Sequence, residues 1–232
     1  TPTYDPNKFW SYSPELYKEW SVEELFEPGS TFKPINLALA LQEGIITPKD
    51  KVYDSGVVNV GGWPIRNWNK QPNGLIDFSE VLQVSSNVAM VKTMQKLNPS
   101  SYWDWLNKLE LNKSPHTDLP GAVPGRLKNK DDFIKYEIEP AVAAYGQGFS
   151  LTPLKLAQLY ALLANGGRLV NPHITSNYSV FTPNFDQQLA SKQILNSDVT
   201  TTVLGWMETV VEKGSGQGVR INDYRIGGKT GT

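Results

Sequence analysis

Apolar residues recurring at three- and four-residue steps, bounded by readable start and stop signals, commit most of this chain to packed helices. Thr152 and Pro153 give a cap and a first-turn proline, Leu154, Leu156, Leu159, Tyr160 and Leu163 follow, and Asn165-Gly166-Gly167 closes the segment. Ser197-Asp198 opens a second helix, in which Val199, Val203, Trp206, Met207 and Val210 recur until Lys213-Gly214. A third is expected from about Ser85 to Leu97, and a fourth, carrying Trp103, Leu106 and Leu109, after Pro99-Ser100-Ser101. Such stripes are core packing. Segments 51–78 and 112–140 are rich in Pro, Gly, Asn and charge and read as loops with short strands. Gly214-Ser215-Gly216-Gln217-Gly218 reads as a loop leading through Val219-Arg220-Ile221 and Tyr224-Arg225-Ile226 into a strand. No repeat or linker divides the 232 residues, a length that suits one sizeable domain.

Composition narrows the chemistry. Apolar content of 39% and charged content of 19% are those of a globular protein, and a net charge of −1 without charge blocks gives no electrostatic basis for binding nucleic acid. The absence of cysteine excludes disulfides, thiol catalysis and thiolate metal sites, and suits an oxidising compartment. No apolar run reaches the roughly 18 residues of a membrane span. The two histidines, His116 and His173, each adjoin a proline in a loop-like stretch. Both are expected at the surface, and a serine–histidine triad would have to recruit one of them.

Three short patterns carry possible chemistry. In Glu27-Pro28-Gly29-Ser30-Thr31-Phe32-Lys33-Pro34, proline and glycine end an irregular stretch and Ile35 to Leu41 reads as a buried helix. Ser30 then falls in its first turn with Lys33 one turn on, on the same face. A serine hydroxyl attacks poorly unless a base takes its proton, and lysine is a base only when neutral, a form favoured by burial and by a second cation. The helix N-terminus adds partial positive charge where an oxyanion forms. Alone, S-x-x-K recurs by chance in a chain this long. Ser85-Ser86-Asn87 reads equally as a helix cap or as a proton relay at Ser85 beside an orienting amide at Asn87. Gly227-Gly228-Lys229-Thr230-Gly231-Thr232 is either a glycine-rich turn or an edge strand along which a peptide lies. It is not a phosphate-binding loop, because Asp223 stands where that motif needs glycine.

S-x-x-K, S-x-N and K-T-G occur here in that order, 55 residues separating Ser30 from Ser85 and 144 separating Ser85 from Lys229. With Ala144-Tyr145-Gly146-Gln147-Gly148, Leu151-Thr152-Pro153-Leu154 and Asn165-Gly166-Gly167, the chain resembles the class B penicillin-binding proteins, and most of all the division-type peptidoglycan D,D-transpeptidases. The likeness runs from about residue 4 to 232.

The resemblance implies an α/β (α+β) fold of the penicillin-binding-protein and serine β-lactamase type. Ser30 would attack the penultimate D-Ala carbonyl of one stem peptide, with Lys33 as base and Ser85 and Asn87 managing protons and position. Lys229, Thr230, Gly231 and Thr232 would bind the substrate carboxylate and carbonyl, the Ser30 and Thr232 amides forming the oxyanion hole. β-Lactams would acylate Ser30, and neither metal nor organic cofactor is implied. The setting would be the extracytoplasmic face of the plasma membrane, with an anchor outside this sequence and divisome membrane proteins as partners. In the family a five-stranded antiparallel sheet backs the site. Residues 1–232 are expected to hold the helical lobe and one strand of it, as a partial transpeptidase domain that is weakly active or inactive alone. A β-lactamase or β-lactam sensor shares Ser30 and Lys33 but needs a water-activating group, for which only the region of Glu137 and Glu139 offers a candidate. A non-catalytic fragment that binds division partners is the other alternative, and a bifunctional synthase fits the motif phrasing less well.

Overall fold

The computed structural model describes residues 4–174 and 191–231. Nine α-helices among the described residues build the body: α1 Trp20–Glu23, α2 Lys33–Gln42, α3 Phe78–Gln83, α4 Asn87–Met94, α5 Pro99–Lys108, α6 Lys130–Lys135, α7 Ile138–Ala143, α8 Pro153–Ala164 and α9 Ser197–Lys213. None is long and apolar enough to cross a membrane. Helix α2 is buried at eight of its ten positions, the signature of a helix surrounded by protein on every side. Helices α3, α4, α8 and α9 pack around it.

All four expected helices form, with the α8 signals met as read, while α4 starts after Ser86, α5 after Asn98 and α9 without a side-chain cap. Thr152 Oγ1 accepts from the Lys155 N–H at 3.2 Å to start α8, and the Gly167 N–H returns to Leu162 O at 2.9 Å beyond its end. Buried Asn36, on the central helix, ties three elements together. It donates to Ala143 O and Ala144 O, both at 2.9 Å, and accepts from Tyr102 Oη at 2.9 Å. A buried amide with its oxygen and nitrogen both engaged fixes α2 against α5 and α7, where an unpaired one would destabilise.

Segment 51–78 folds as expected into short strands, β1 Lys51–Asp54, β2 Val57–Val60, β3 Trp63–Arg66 and β4 Gly74–Asp77. Strand β1 pairs with β4 and β2 with β3, both antiparallel. The β2–β3 connection is Gly61-Gly62, with φ of 54° and 85°, which matches the hairpin turn that needs left-handed backbone at both central residues. A third ribbon joins β5 Arg168–Leu169 to β6 Lys192–Gln193.

Two expectations need correction. Segment 112–140 is not loop throughout, since it contains α6 and α7. The Asn129 side chain caps α6 by accepting from the Asp132 N–H at 2.8 Å, and Asp131 and Asp132 favour its positive end. The helix is six residues long with one buried side chain, Phe133, too short for its period to stand out. The second concerns the chain after Val219, where no described residue joins a β-ladder. Instead the Gly228 N–H bonds to Met207 O at 3.2 Å, and Gly227 lies against Met207 and the Glu208 amide. A strand exists only through its neighbour, and a helix edge fills that place here.

Candidate active site

Ser30 sits in a 3₁₀ turn, Gly29–Phe32, that runs directly into α2, so Lys33 is the first α-helical residue. Contacts from three sides hold the turn. The Gly29 N–H donates to Gly146 O at 2.8 Å, Tyr160 Oη donates to Thr31 O at 2.8 Å, and the Phe32 ring meets Phe149 edge-on at 4.9 Å. Gly146 has φ of 84°, and a Cβ there would fall 2.0 Å from Gly29 O, so this approach of two backbones admits only glycine.

Lys33 is fully buried. Its Nζ donates to Ser85 O at 2.6 Å, Ser85 Oγ at 3.2 Å and Asn87 Oδ1 at 2.7 Å, which occupies all three ammonium hydrogens. The Asn87 orientation is set by its other end, since Nδ2 donates to Arg66 O at 3.0 Å. Ser85 is not itself a helix cap. Ser86 caps α4, its Oγ accepting from the Ala89 N–H at 2.9 Å, while Ser85 stands before it with φ of 56°. A left-handed conformation strains a non-glycine residue by about 1–3 kcal/mol, and here it turns both oxygens of Ser85 toward Lys33.

Burial pushes the Lys33 amine well below the usual lysine range, the Lys229 charge pushes the same way, and the Asp54 carboxylate opposes both. The structure therefore brings the K-T-G segment to the S-x-x-K and S-x-N segments. Gly231 approaches Thr31, Lys229 donates to Thr230 O and Oγ1 at 3.1 Å each, and Thr230 Oγ1 lies 2.8 Å from Ser215 Oγ. Burial lowers Lys229 to about 8. The sequence-predicted residues Ser30, Lys33, Ser85, Asn87, Lys229, Thr230 and Gly231 lie in one region, while Thr232 falls outside the described residues.

Of these residues Ser30, Ser85 and Asn87 line a cleft of about 470 Å³, together with Trp68, Tyr145 and Gln147 among others, while Lys33, Lys229, Thr230 and Gly231 are not part of its lining. Neither Glu137 nor Glu139 lines it, and Glu139 is ion-paired with Lys128. His116 and His173 are exposed, as expected of loop residues. Sequence reasoning missed Trp68, which no pattern marks, and Asp54 and Asn67, which read as ordinary loop polar residues until the fold buries them.

The sequence profile of the penicillin binding protein transpeptidase domain matches residues 1–232. The chain belongs to that family. The transpeptidase domain is 41% identical over 255 residues to the peptidoglycan D,D-transpeptidase FtsI homolog of Mesostigma viride, covering all of this chain and 43% of that protein. Stage V sporulation protein D of Bacillus subtilis is 32% identical over the whole chain and 36% of its own length, and FtsI of Escherichia coli is 30% identical over the whole chain and 37% of its own. The transpeptidase domain thus spans less than half the length of these relatives. In structure it is similar to a peptidoglycan glycosyltransferase from Burkholderia ambifaria, with TM-score 0.82 and 30% identity over 93% of this chain and 66% of that one. The transpeptidase domain of penicillin-binding protein 3 from Burkholderia pseudomallei gives TM-score 0.81 and 28% identity over 93% and 62%.

Proposed function

We propose that this domain cross-links peptidoglycan stem peptides as a serine D,D-transpeptidase, through an acyl-enzyme on Ser30. The observation that carries the reading is a fully buried Lys33 amine, held by Ser85 and Asn87 one turn from a cleft-lining serine. A neutral lysine keeps two N–H bonds and gains a lone pair. Ser85 O and Asn87 Oδ1 only accept, so they retain the N–H bonds. The lone pair then faces Ser85 Oγ, whose hydroxyl can donate to it. Ser85 is thereby placed to pass a proton between Lys33 and the cleft.

In the forward reaction Ser30 Oγ bonds to the penultimate D-Ala carbonyl carbon while its proton passes to Lys33. Collapse of the tetrahedral adduct breaks the peptide bond, and the terminal D-alanine leaves with that proton on its amine. The amine of a second stem peptide then displaces Ser30 from the ester, forming the cross-link. Lys229 and Thr230 supply charge and a hydroxyl for the substrate carboxylate, with Gly231 admitting the peptide and Thr232 completing the segment. A β-lactam enters as a mimic of the D-Ala-D-Ala end. The names of the relatives favour peptidoglycan or sporulation wall synthesis, and the resemblance to division-type enzymes would place it at the septum on the extracytoplasmic face of the membrane, with divisome membrane proteins as partners.

The test is the intact mass of the protein incubated with a penicillin, followed in time and mapped by peptide digestion. One stable adduct on the peptide carrying Ser30 supports the proposal. An adduct that turns over with steady release of opened drug points to a β-lactamase. No adduct on residues 1–232 alone is the weak or absent activity expected of a partial domain, and no adduct on a longer chain that carries the whole domain overturns the reading. The same assay separates the two roles of Ser85. Ser85→Gly and Ser85→Ala both remove the relay and are each expected to slow acylation about a hundredfold. Glycine also relieves the left-handed backbone, so it should melt about 2–4 °C above the alanine variant.

A further inference from the structure

Strand β1 ends at Asp54, whose carboxylate is fully buried and yet surrounded by donors. The Gly56 N–H reaches Oδ1 at 2.8 Å, Asn73 Nδ2 reaches Oδ2 at 2.6 Å, Ser86 Oγ reaches Oδ2 at 2.7 Å, and Asn67 Nδ2 reaches Oδ1 at 3.0 Å and Oδ2 at 2.8 Å. Burial alone raises the carboxyl, but these bonds outweigh it and hold the group below the usual carboxylate range, as an anion.

Two arms run from that anion to the start of α4. One is Ser86, which donates to Asp54 and accepts from the Ala89 N–H. The other is Asn67, also buried. Its amide nitrogen is fixed on Asp54, so its Oδ1 faces α4 and accepts from the Asn87 N–H at 3.0 Å and the Val88 N–H at 3.2 Å. The first N–H groups of a helix have no partner within it. Three of them here find theirs on two side chains, both oriented by one carboxylate. Asn87 is thereby pinned at its backbone, and its side-chain nitrogen is held by Arg66 O, the carbonyl next to Asn67.

We propose that Asp54 is a positioning residue, which through Ser86 and Asn67 fixes Ser85 and Asn87 at the places where they hold the Lys33 amine. This rests on Lys33 being the base of the proposed reaction. Asp54 does not line the cleft, so its action on the chemistry passes through other residues. It also contributes charge. The charged groups acting on Lys33 are Lys229, which favours the neutral amine, and Asp54, which favours the ammonium. The remaining neighbours, Ser85 and Asn87, are neutral, and burial holds Tyr145 and Tyr160 in their protonated forms. Removing the Asp54 charge therefore lowers the pH at which Lys33 loses its proton, and the rise of acylation with pH begins earlier.

The variants are Asp54→Asn, Ser86→Ala and the exchange Asp54→Asn with Asn67→Asp, made in the full chain. The first readout, amide exchange by NMR, needs no catalysis. In Asp54→Asn, exchange at the Asn87 and Val88 amides is expected to quicken at least tenfold. The Lys33 titration midpoint is expected to move to lower pH, which a purely structural carboxylate would not cause. Acylation by a penicillin should slow about tenfold at its maximum, by analogy with groups that orient ligands from behind. The exchange variant restores one carboxylate and one amide to the pair and should recover protection at both amides and most of the rate. Ser86→Ala cuts one arm with the charge in place, so the rate falls while the Lys33 midpoint stays put. Unchanged exchange and an unmoved midpoint in Asp54→Asn overturn the proposal, as does full activity in Ser86→Ala. A missing Ser30 adduct in a longer unsubstituted chain that carries the whole domain refutes the transpeptidase reading instead, and the NMR result still decides the role of Asp54.

Discussion

Ser30→Ala is expected to abolish covalent labelling by a penicillin while leaving the fold intact. The contacts that hold the Gly29–Phe32 turn come from the Gly29 amide, the Thr31 carbonyl and hydroxyl, and the Phe32 ring. None uses the Ser30 side chain. Exchanging its hydroxyl for hydrogen should shift stability by no more than about 0.5 kcal/mol, a melting change of about 1–2 °C. The mass shift should vanish on every timescale. Ser85→Ala makes the informative contrast, because it keeps the nucleophile and should still acquire the adduct slowly. Persistent labelling of Ser30→Ala at the unsubstituted rate would sink the assignment, and transfer of the adduct to Ser85 would show that the wrong serine had been chosen.

The difference between what the sequence discloses and what it hides follows from the range of the interactions. Helix α8 is legible because cap, period and stop are all local, α9 because its period and stop are, and Ser30 and Lys33 because one turn of helix joins them. The cluster of Lys33 with Ser85 and Asn87 joins residues 52 and 54 apart in the chain, and no local rule places them together. Resemblance to a family supplied that link. Asp54 and Asn67 have no local signature at all. An aspartate and an asparagine in a Gly- and Pro-rich stretch read as turn formers, and only the packing of β1 and β3 against α4 turns them into a buried network. The K-T-G segment shows the reverse limit. Its composition suits a strand, but a strand is a property of two segments, and the described residues offer Met207 of α9 as its partner.

Lys33→Met should separate catalysis from stability. Methionine fills much of the same volume without a buried amine, which relieves the desolvation that depresses Lys33. Against this, Ser85 O and Asn87 Oδ1 lose a donor, at about 1–3 kcal/mol for each acceptor left buried and unpaired. These opposing terms should keep the melting temperature within about 6 °C of the parent. Acylation, by contrast, should fall 10²- to 10⁴-fold, the usual contribution of a general base. An ordinary lysine near 10.5 would be neutral in only about one molecule in a thousand at pH 7.5. Burial and Lys229 raise that fraction, so the unsubstituted protein should lose rate as pH falls through the lowered Lys33 pKa, and the methionine variant should show no such limb. The sign of each neighbour can then be read separately. Lys229→Gln removes the cation that favours neutral Lys33, so the limb moves to higher pH, opposite to the shift expected on removing the Asp54 charge. A limb that moves the same way in both variants would mean that the titrating group is not Lys33, because one amine cannot be driven in a single direction by the loss of opposite charges.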